Sequence, residues 1–253
     1  CLLGHTRSAP ATSRWTERYE NVSNSLSAGV SPGYRLGPLE FATGMSGLNA
    51  WTYLYVCLAI MPVISFLSFS QPYVLTEIIG IPPERHGQVT GLLITMHEIV
   101  VLALVSFAGG LSDRVGRRPL YATGTLVAGA GFAIYGMAST VGDLYAGRFV
   151  YAIGLAFVGV MIAVTAADYP AESSRGKIAG VSGVLNGLGI GLATALFAAL
   201  PTIFKAQGMT SADAGRYMLF VMAGLAALTA LIMQVGLKGG TPVARAERPP
   251  VRE

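Results

Sequence analysis

Three ionisable side chains stand inside stretches that are otherwise apolar: His97 and Glu98 within the run 88–108, and Arg148 within the run 144–166. Both runs are long enough to cross a bilayer, whose roughly 30 Å hydrocarbon core takes about 20 residues of helix. Holding a charge at that depth costs at least ~2.5 kcal/mol, so such residues pair with one another, face a wet cavity or mark an ion pathway. The chemistry on offer is proton exchange. A carboxyl in apolar surroundings takes up and releases its proton near neutrality, whereas a guanidinium stays charged and serves as a fixed partner. His97 and Glu98 lie about 14 to 15 Å along the axis from Gln88, and Glu98 and Arg148 differ in depth by about 7 to 8 Å at 1.5 Å per residue. Neighbouring residues on a helix point about 100° apart, so one of the pair at most faces a cavity squarely. Glu98 is the stronger candidate for proton coupling and His97 the second. The expected device is a protonation-sensitive link between Glu98 and Arg148.

Weaker polar candidates lie in two other runs. Ser65 and Ser68 share a face of the run 51–72, with Gln71 one turn further on, and Asn186 is the lone amide of the run 178–200. Each is a candidate substrate contact. A serine in a helix also bonds back to its own carbonyls, and a lone amide also bridges helices. Gly183, Gly187 and Gly191 repeat at every fourth residue, which predicts close helix approach of the small-xxx-small kind.

Six apolar runs position these groups, at about 51–72, 88–108, 119–139, 144–166, 178–200 and 216–236. With 53% hydrophobic residues, 12% charged and a mean hydropathy of +0.57, the composition predicts an all-α integral membrane protein. The charge fraction is about half the roughly 25% usual for a soluble domain. A net charge of +4 and a pI near 9.2 are compatible with nucleic-acid binding, but the positions of the charges say otherwise. Alternation of the six runs places thirteen of the 17 lysines and arginines on one side, three on the other (Arg85, Lys205, Arg216), and Arg148 within a run. That asymmetry is the positive-inside pattern, so the charge reports orientation, with both termini cytoplasmic. Cys1 and Cys57 support neither a disulfide framework nor a metal site. Residues 1–44 hold no apolar run and no signal-peptide pattern. They are expected to be a disordered or non-native extension before Met45, the first methionine, and residues 237–253 a cytoplasmic tail or the start of a central loop.

Between the second and third runs lies Gly109-Gly110-Leu111-Ser112-Asp113-Arg114-Val115-Gly116-Arg117-Arg118, expected as a tight polar turn. Gly109, Asp113, Arg114, Gly116, Arg117 and Arg118 together resemble the signature loop between helices 2 and 3 of the major facilitator superfamily of secondary transporters. Leu144-x-x-x-Arg148 resembles the fourth-helix motif of that family, in which an arginine lines the cavity and takes part in proton transfer. The Gln-Gly that should follow is Tyr151-Ala152 here. Asp168 and the loop through Gly176 resemble the family's loop between helices 4 and 5, which implies that Asp168 engages the basic residues of the signature loop as an inner gate. The resemblance covers residues 45–236 and implies the N-terminal six-helix half of a twelve-helix carrier in a bacterial cytoplasmic membrane, truncated before its C-terminal half. It implies alternating access, with a small solute and protons as partners. The Gly-Pro signature of the family's antiporters is absent from Asn186 to Gly191, which favours symport or uniport over drug/proton antiport.

Other classes fit less well. Gly180-Val181-Ser182-Gly183 matches the nucleophile motif of six-helix intramembrane serine proteases, but that chemistry needs a histidine base and none follows His97. A non-transporting membrane sensor on the same fold is a further alternative. No phosphate-cradling Gly-x-x-x-x-Gly-Lys-Ser/Thr loop is present, so the expected energy source is a gradient. The expectation is a protein without enzyme activity, cofactor or metal.

Overall fold

The computed structural model describes residues 33–239. Residues 1–32 and 240–253, and the side chain of Asp113, fall outside the described residues, as do the expectations placed on them. Six long helices follow one another: α1 (Gly47–Tyr73), α2 (His86–Val115), α3 (Arg117–Met137), α4 (Val141–Asp168), α5 (Arg175–Ala206) and α6 (Ser211–Gly236). Each contains a stretch with mean hydropathy between 1.3 and 2.3, and each is long enough to span the hydrocarbon core. The chain is an integral membrane protein, with six membrane-crossing helices among the described residues.

Every helix but α3, which ends two residues before its run does, outruns the apolar run that predicted it, because hydropathy marks the length in lipid while capping marks the end of the helix. The Ser46 hydroxyl accepts the Asn49 N–H (3.3 Å), and the Asn49 side chain accepts the Ser46 N–H (3.0 Å). Thr140 and Asp143 repeat this reciprocal cap, at 3.3 and 2.8 Å, so α4 begins at Val141 and takes in residues expected to connect two spans. Each cap satisfies donors that the first turn leaves free.

The stretch Gly109–Arg118 is not a ten-residue turn. α2 continues through Val115, α3 starts at Arg117, and Gly116 alone joins them at φ +99°, ψ 151°. A side chain would be strained at that φ, so one glycine does the work expected of the whole stretch. Its N–H still donates to the Ser112 carbonyl (3.0 Å), closing the last turn of α2.

Exchanging the first three helices with the last three relates the contact of α2 with α4 to that of α5 with α1, whereas α3 packs more extensively on α4 than α6 does on α1. α3 lies against α4 and α6, α1 lies against α5, and α2 lies against α4. Within their most apolar stretches, 61% of the residues of α1 and α3 are buried, but only 17% of those of α2 and α5. Two equivalent helices are therefore open along most of their length. At the α1–α5 contact, Pro62 has no N–H to offer the Leu58 carbonyl one turn earlier. Gly189 of α5 closes over that carbonyl, and a Cβ at 189 would collide with it.

Composition predicted no structure before Met45, yet residues 33–44 are folded. Arg35–Leu36 (β1) pairs antiparallel with Leu39–Glu40 (β2) around Gly37 at φ +56°. Phe41 then bridges Pro170 in the α4–α5 connection, Ala42 N–H donates to the Tyr169 carbonyl (2.9 Å), and Ala171 N–H donates to the Glu40 carbonyl (3.0 Å). The Phe41 ring is buried with its edge toward Tyr53 at 6.3 Å. The pattern is invisible locally because its partners lie some 130 residues further along the chain.

Candidate functional site

Polar groups gather at two places in the bundle. The first is the end where α2 meets α3, here termed the arginine end. Arg117, on the first turn of α3, forms an ion pair with Asp168, the last residue of α4. Both side chains are about two-fifths exposed. Arg114 is exposed and Arg118 half-buried. Beside them Tyr169 stacks on Tyr53 at 5.1 Å and accepts the Lys238 N–H at 2.9 Å, which ties the end of α6 to the α4–α5 connection. Burial pushes the Tyr169 phenol above its ordinary value, opposed by the Lys238 N–H and by the charges of Arg118 and Arg117.

The second place lies toward the opposite end and is closed off from its surroundings. Gln71 of α1, His97 of α2 and Arg148 of α4 are 3%, 7% and 4% exposed. Tyr135 of α3 and Tyr151 of α4 complete the group. The Tyr135 hydroxyl donates to Gln71 Oε1 (3.3 Å), and the Tyr151 hydroxyl reaches the Val63 and Ile64 carbonyls (2.8 and 2.6 Å). The Tyr151 ring lies near both basic side chains, with Arg148 Cζ at 5.8 Å from its centroid and the His97 ring at 5.7 Å. Gln71 Nε2, His97 Nδ1 and Arg148 Nε are buried without a hydrogen-bond partner among the described residues. Buried polar atoms left in that condition are uncommon, since each carries an uncompensated desolvation cost of about 1–3 kcal/mol.

The expected link between Glu98 and Arg148 is not formed. His97 takes the inward position, and Glu98, about 100° round the helix, lies on the exposed face of α2. Ion pairs among the described residues are Arg35–Glu40, Arg117–Asp168 and Arg175–Glu172, none of which includes Glu98 or Arg148. Ser65 bonds back to the Met61 carbonyl (2.6 Å), Ser68 is exposed, and Asn186 is half-buried. Gly183, Gly187 and Gly191 do not mediate a contact within this chain: each faces open space, and α5 approaches α1 through Gly189 instead. Gly109 likewise has nothing near it. Ser182 shares a hydrogen bond with Tyr53 (3.2 Å).

Sequence reasoning missed Tyr135 and Tyr151. Tyr151 had a signal, since it stands one helical turn after Arg148, where the fourth-helix motif carries another residue. Tyr135 had none, because only the packing of α3 on α4 brings it beside Gln71 and Arg148.

Six membrane-crossing helices, with α2 packed on α4 as α5 is packed on α1 and an ion pair at one end, match the N-terminal-half architecture of a secondary carrier. The chain belongs to the Major Facilitator Superfamily, whose profile matches residues 41–252. Magnetosome protein MamZ of Magnetospirillum gryphiswaldense is 31% identical over 153 residues, covering 56% of this chain and 23% of that protein. The class E tetracycline resistance protein of Escherichia coli is 30% identical over 174 residues, 69% of this chain and 39% of that protein. Multidrug transporter protein MdtP of Bacillus subtilis is 31% identical over 111 residues, 42% of this chain and 20% of that protein. The chain thus spans well under half the length of these relatives. No solved structure matches it.

Proposed function

We propose that the chain forms one six-helix half of a gradient-driven transporter that moves a small solute by alternating access. The supporting observation is the pair of open faces on α2 and α5. Each is largely apolar, the two helices hold corresponding places in the α2–α4 and α5–α1 contacts, and the carriers it resembles are two to five times longer than the stretch it matches. A second six-helix half seated on those faces would bury them and leave a central path along α1 and α4. The Arg117–Asp168 pair would hold the arginine end shut in one state and release it in the other. The positive-inside asymmetry puts that end in the cytoplasm, and a bacterial cytoplasmic membrane fits the relatives' sources.

The coupling read from α5 is proton symport or uniport, because Asn186 to Gly191 has no Gly-Pro pair. A second reading, drug/proton antiport, is favoured by relatives named for tetracycline resistance and multidrug transport. Proteoliposomes holding the protein under an imposed pH gradient separate the two. Adding a transported solute outside carries protons inward with it under symport and drives them outward under antiport. Absence of both solute uptake and solute-dependent proton movement, with tetracycline and simple carboxylates both tried, overturns the carrier reading.

A further inference from the structure

Gln71, His97 and Arg148 come from three different helices, are buried, and each keeps one polar atom unpartnered. The free atoms are of one kind. Amide and guanidinium nitrogens only donate, and His97 Nδ1 donates in the corresponding tautomer. The acceptors nearby are already engaged: Gln71 Oε1 takes the Tyr135 hydroxyl, and the Val63 and Ile64 carbonyls take that of Tyr151. What remains is a set of donors lacking an acceptor, built around a permanent positive charge. Among the described residues no carboxylate pairs with Arg148, and Glu98, the acid adjacent in sequence to His97, points away.

We propose that Gln71, His97 and Arg148 bind the carboxylate group of a small monoanionic solute. Charge selects the class. A lone buried guanidinium is strongly unfavourable, and one negative charge neutralises it, whereas a dianion would leave an excess of the opposite sign. Geometry selects the group, since a carboxylate accepts two parallel bonds from the guanidinium fork and still has lone pairs for an amide and an imidazole. The Tyr151 ring lies 5.8 Å from Arg148 Cζ, which sets an aromatic surface beside the charge for an apolar body on the solute. Arg148 lies about 10 Å below the start of α4 at 1.5 Å per residue, so entry is from the end opposite Arg117. The site is covered in this conformation, and for its opening alone the proposal rests on the alternating-access reading.

Benzoate and benzamide, which share a ring and differ in charge, are the probes, and thermal unfolding of the purified full chain in detergent is the readout. Saturable benzoate binding raises the unfolding midpoint, and benzamide at the same concentration does not. Arg148→Lys keeps the charge but loses the fork and should weaken benzoate at least tenfold. Should that variant not fold, Gln71→Glu decides. It keeps the acceptor for Tyr135 and supplies an internal carboxylate, so the midpoint without probe rises and the benzoate shift disappears. Glu98→Gln leaves the shift unchanged. Equal shifts by the two probes, an undiminished benzoate shift in Gln71→Glu, or a shift altered by Glu98→Gln overturns the site. If benzoate fails while the proteoliposomes still show solute-coupled proton movement, the site falls and the carrier reading stands. A benzoate shift abolished by Gln71→Glu in a protein that moves no solute leaves the site standing alone.

Discussion

α3 and α5 both carry four or more glycines at helical spacing, and they use them in opposite ways. In α3, a Cβ on Gly131 would meet Tyr151 Cβ at 2.6 Å, one on Gly124 would meet Phe157 Cβ at 2.8 Å, and one on Gly129 would meet Ala226 Cβ at 3.0 Å. α4 answers with Gly154, whose Cβ would meet the Gly124 carbonyl at 2.6 Å. In α5, Gly180, Gly183, Gly187 and Gly191 have nothing within 4 Å, and Gly189, out of step with that row, makes the close approach. Spacing therefore identifies a face able to accept a close neighbour, but not whether the neighbour belongs to the same chain. α3 is the centre of this half. α5 presents its small-residue face outward.

Substitutions can break that contrast outright. Gly154→Leu should have the largest effect, because the new Cβ meets the backbone of Ala128 and Gly124, which cannot move aside as a side chain can. Overpacking costs ~1–3 kcal/mol and more against backbone, a large share of a total stability of ~5–15 kcal/mol. Loss of the monodisperse species on size-exclusion chromatography in detergent is the expected result. Gly189→Ala should fall next, because it adds a single methyl where Gly154→Leu adds a whole side chain; that methyl also meets backbone, the Leu58 carbonyl, so destabilisation of at least ~1–3 kcal/mol in thermal unfolding is expected. Gly187→Leu should leave the isolated chain within ~0.5 kcal/mol of its parent, as an exposed site does. Where a second half seats on α5 as proposed, the same change should disrupt that seating, read as loss of crosslinking from a cysteine at Leu188. A Gly187→Leu chain that unfolds like Gly154→Leu would mean that α5 packs elsewhere.

The same contrast explains how much of the fold was legible. Six spans were readable because apolar length is a local property, and the arginine-bearing junction was readable because its residue types lie side by side. The reduction of that junction to Gly116 was not, since hydropathy cannot distinguish an exposed helical turn from a loop. The choice between His97 and Glu98 needed the direction of α4 as seen from α2. Spacing shows that one residue of an adjacent pair faces in, and only the neighbouring helix decides which. Tyr135 entered the buried cluster through the α3–α4 contact, and Phe41 found its place against a segment far along the chain. In each case the missing information was the identity of a distant partner. Asp168, by contrast, was read as a partner for the basic junction, and it lies against Arg117.

The ends of the two helices give the finest test of the comparison. α3 begins beside Arg117–Asp168, with both side chains about two-fifths exposed, whereas α5 begins beside Arg175–Glu172 at 3.7 Å, with exposures of 57% and 92%. A pair in water gains little, because solvent screens it and two long side chains must be ordered to form it. A double-mutant cycle of Arg117→Ala and Asp168→Ala should give a coupling of ~0.2–1 kcal/mol in thermal unfolding, fading in about 1 M salt, where the screening length falls to ~3 Å. The cycle of Arg175→Ala and Glu172→Ala should give none that can be measured. Equal couplings would show that the two ends are equivalent and that the Arg117–Asp168 pair does not distinguish α3. A larger coupling for Arg117–Asp168, persisting at high salt, would show that the pair is shielded from water and acts as a firmer latch than its exposure implies.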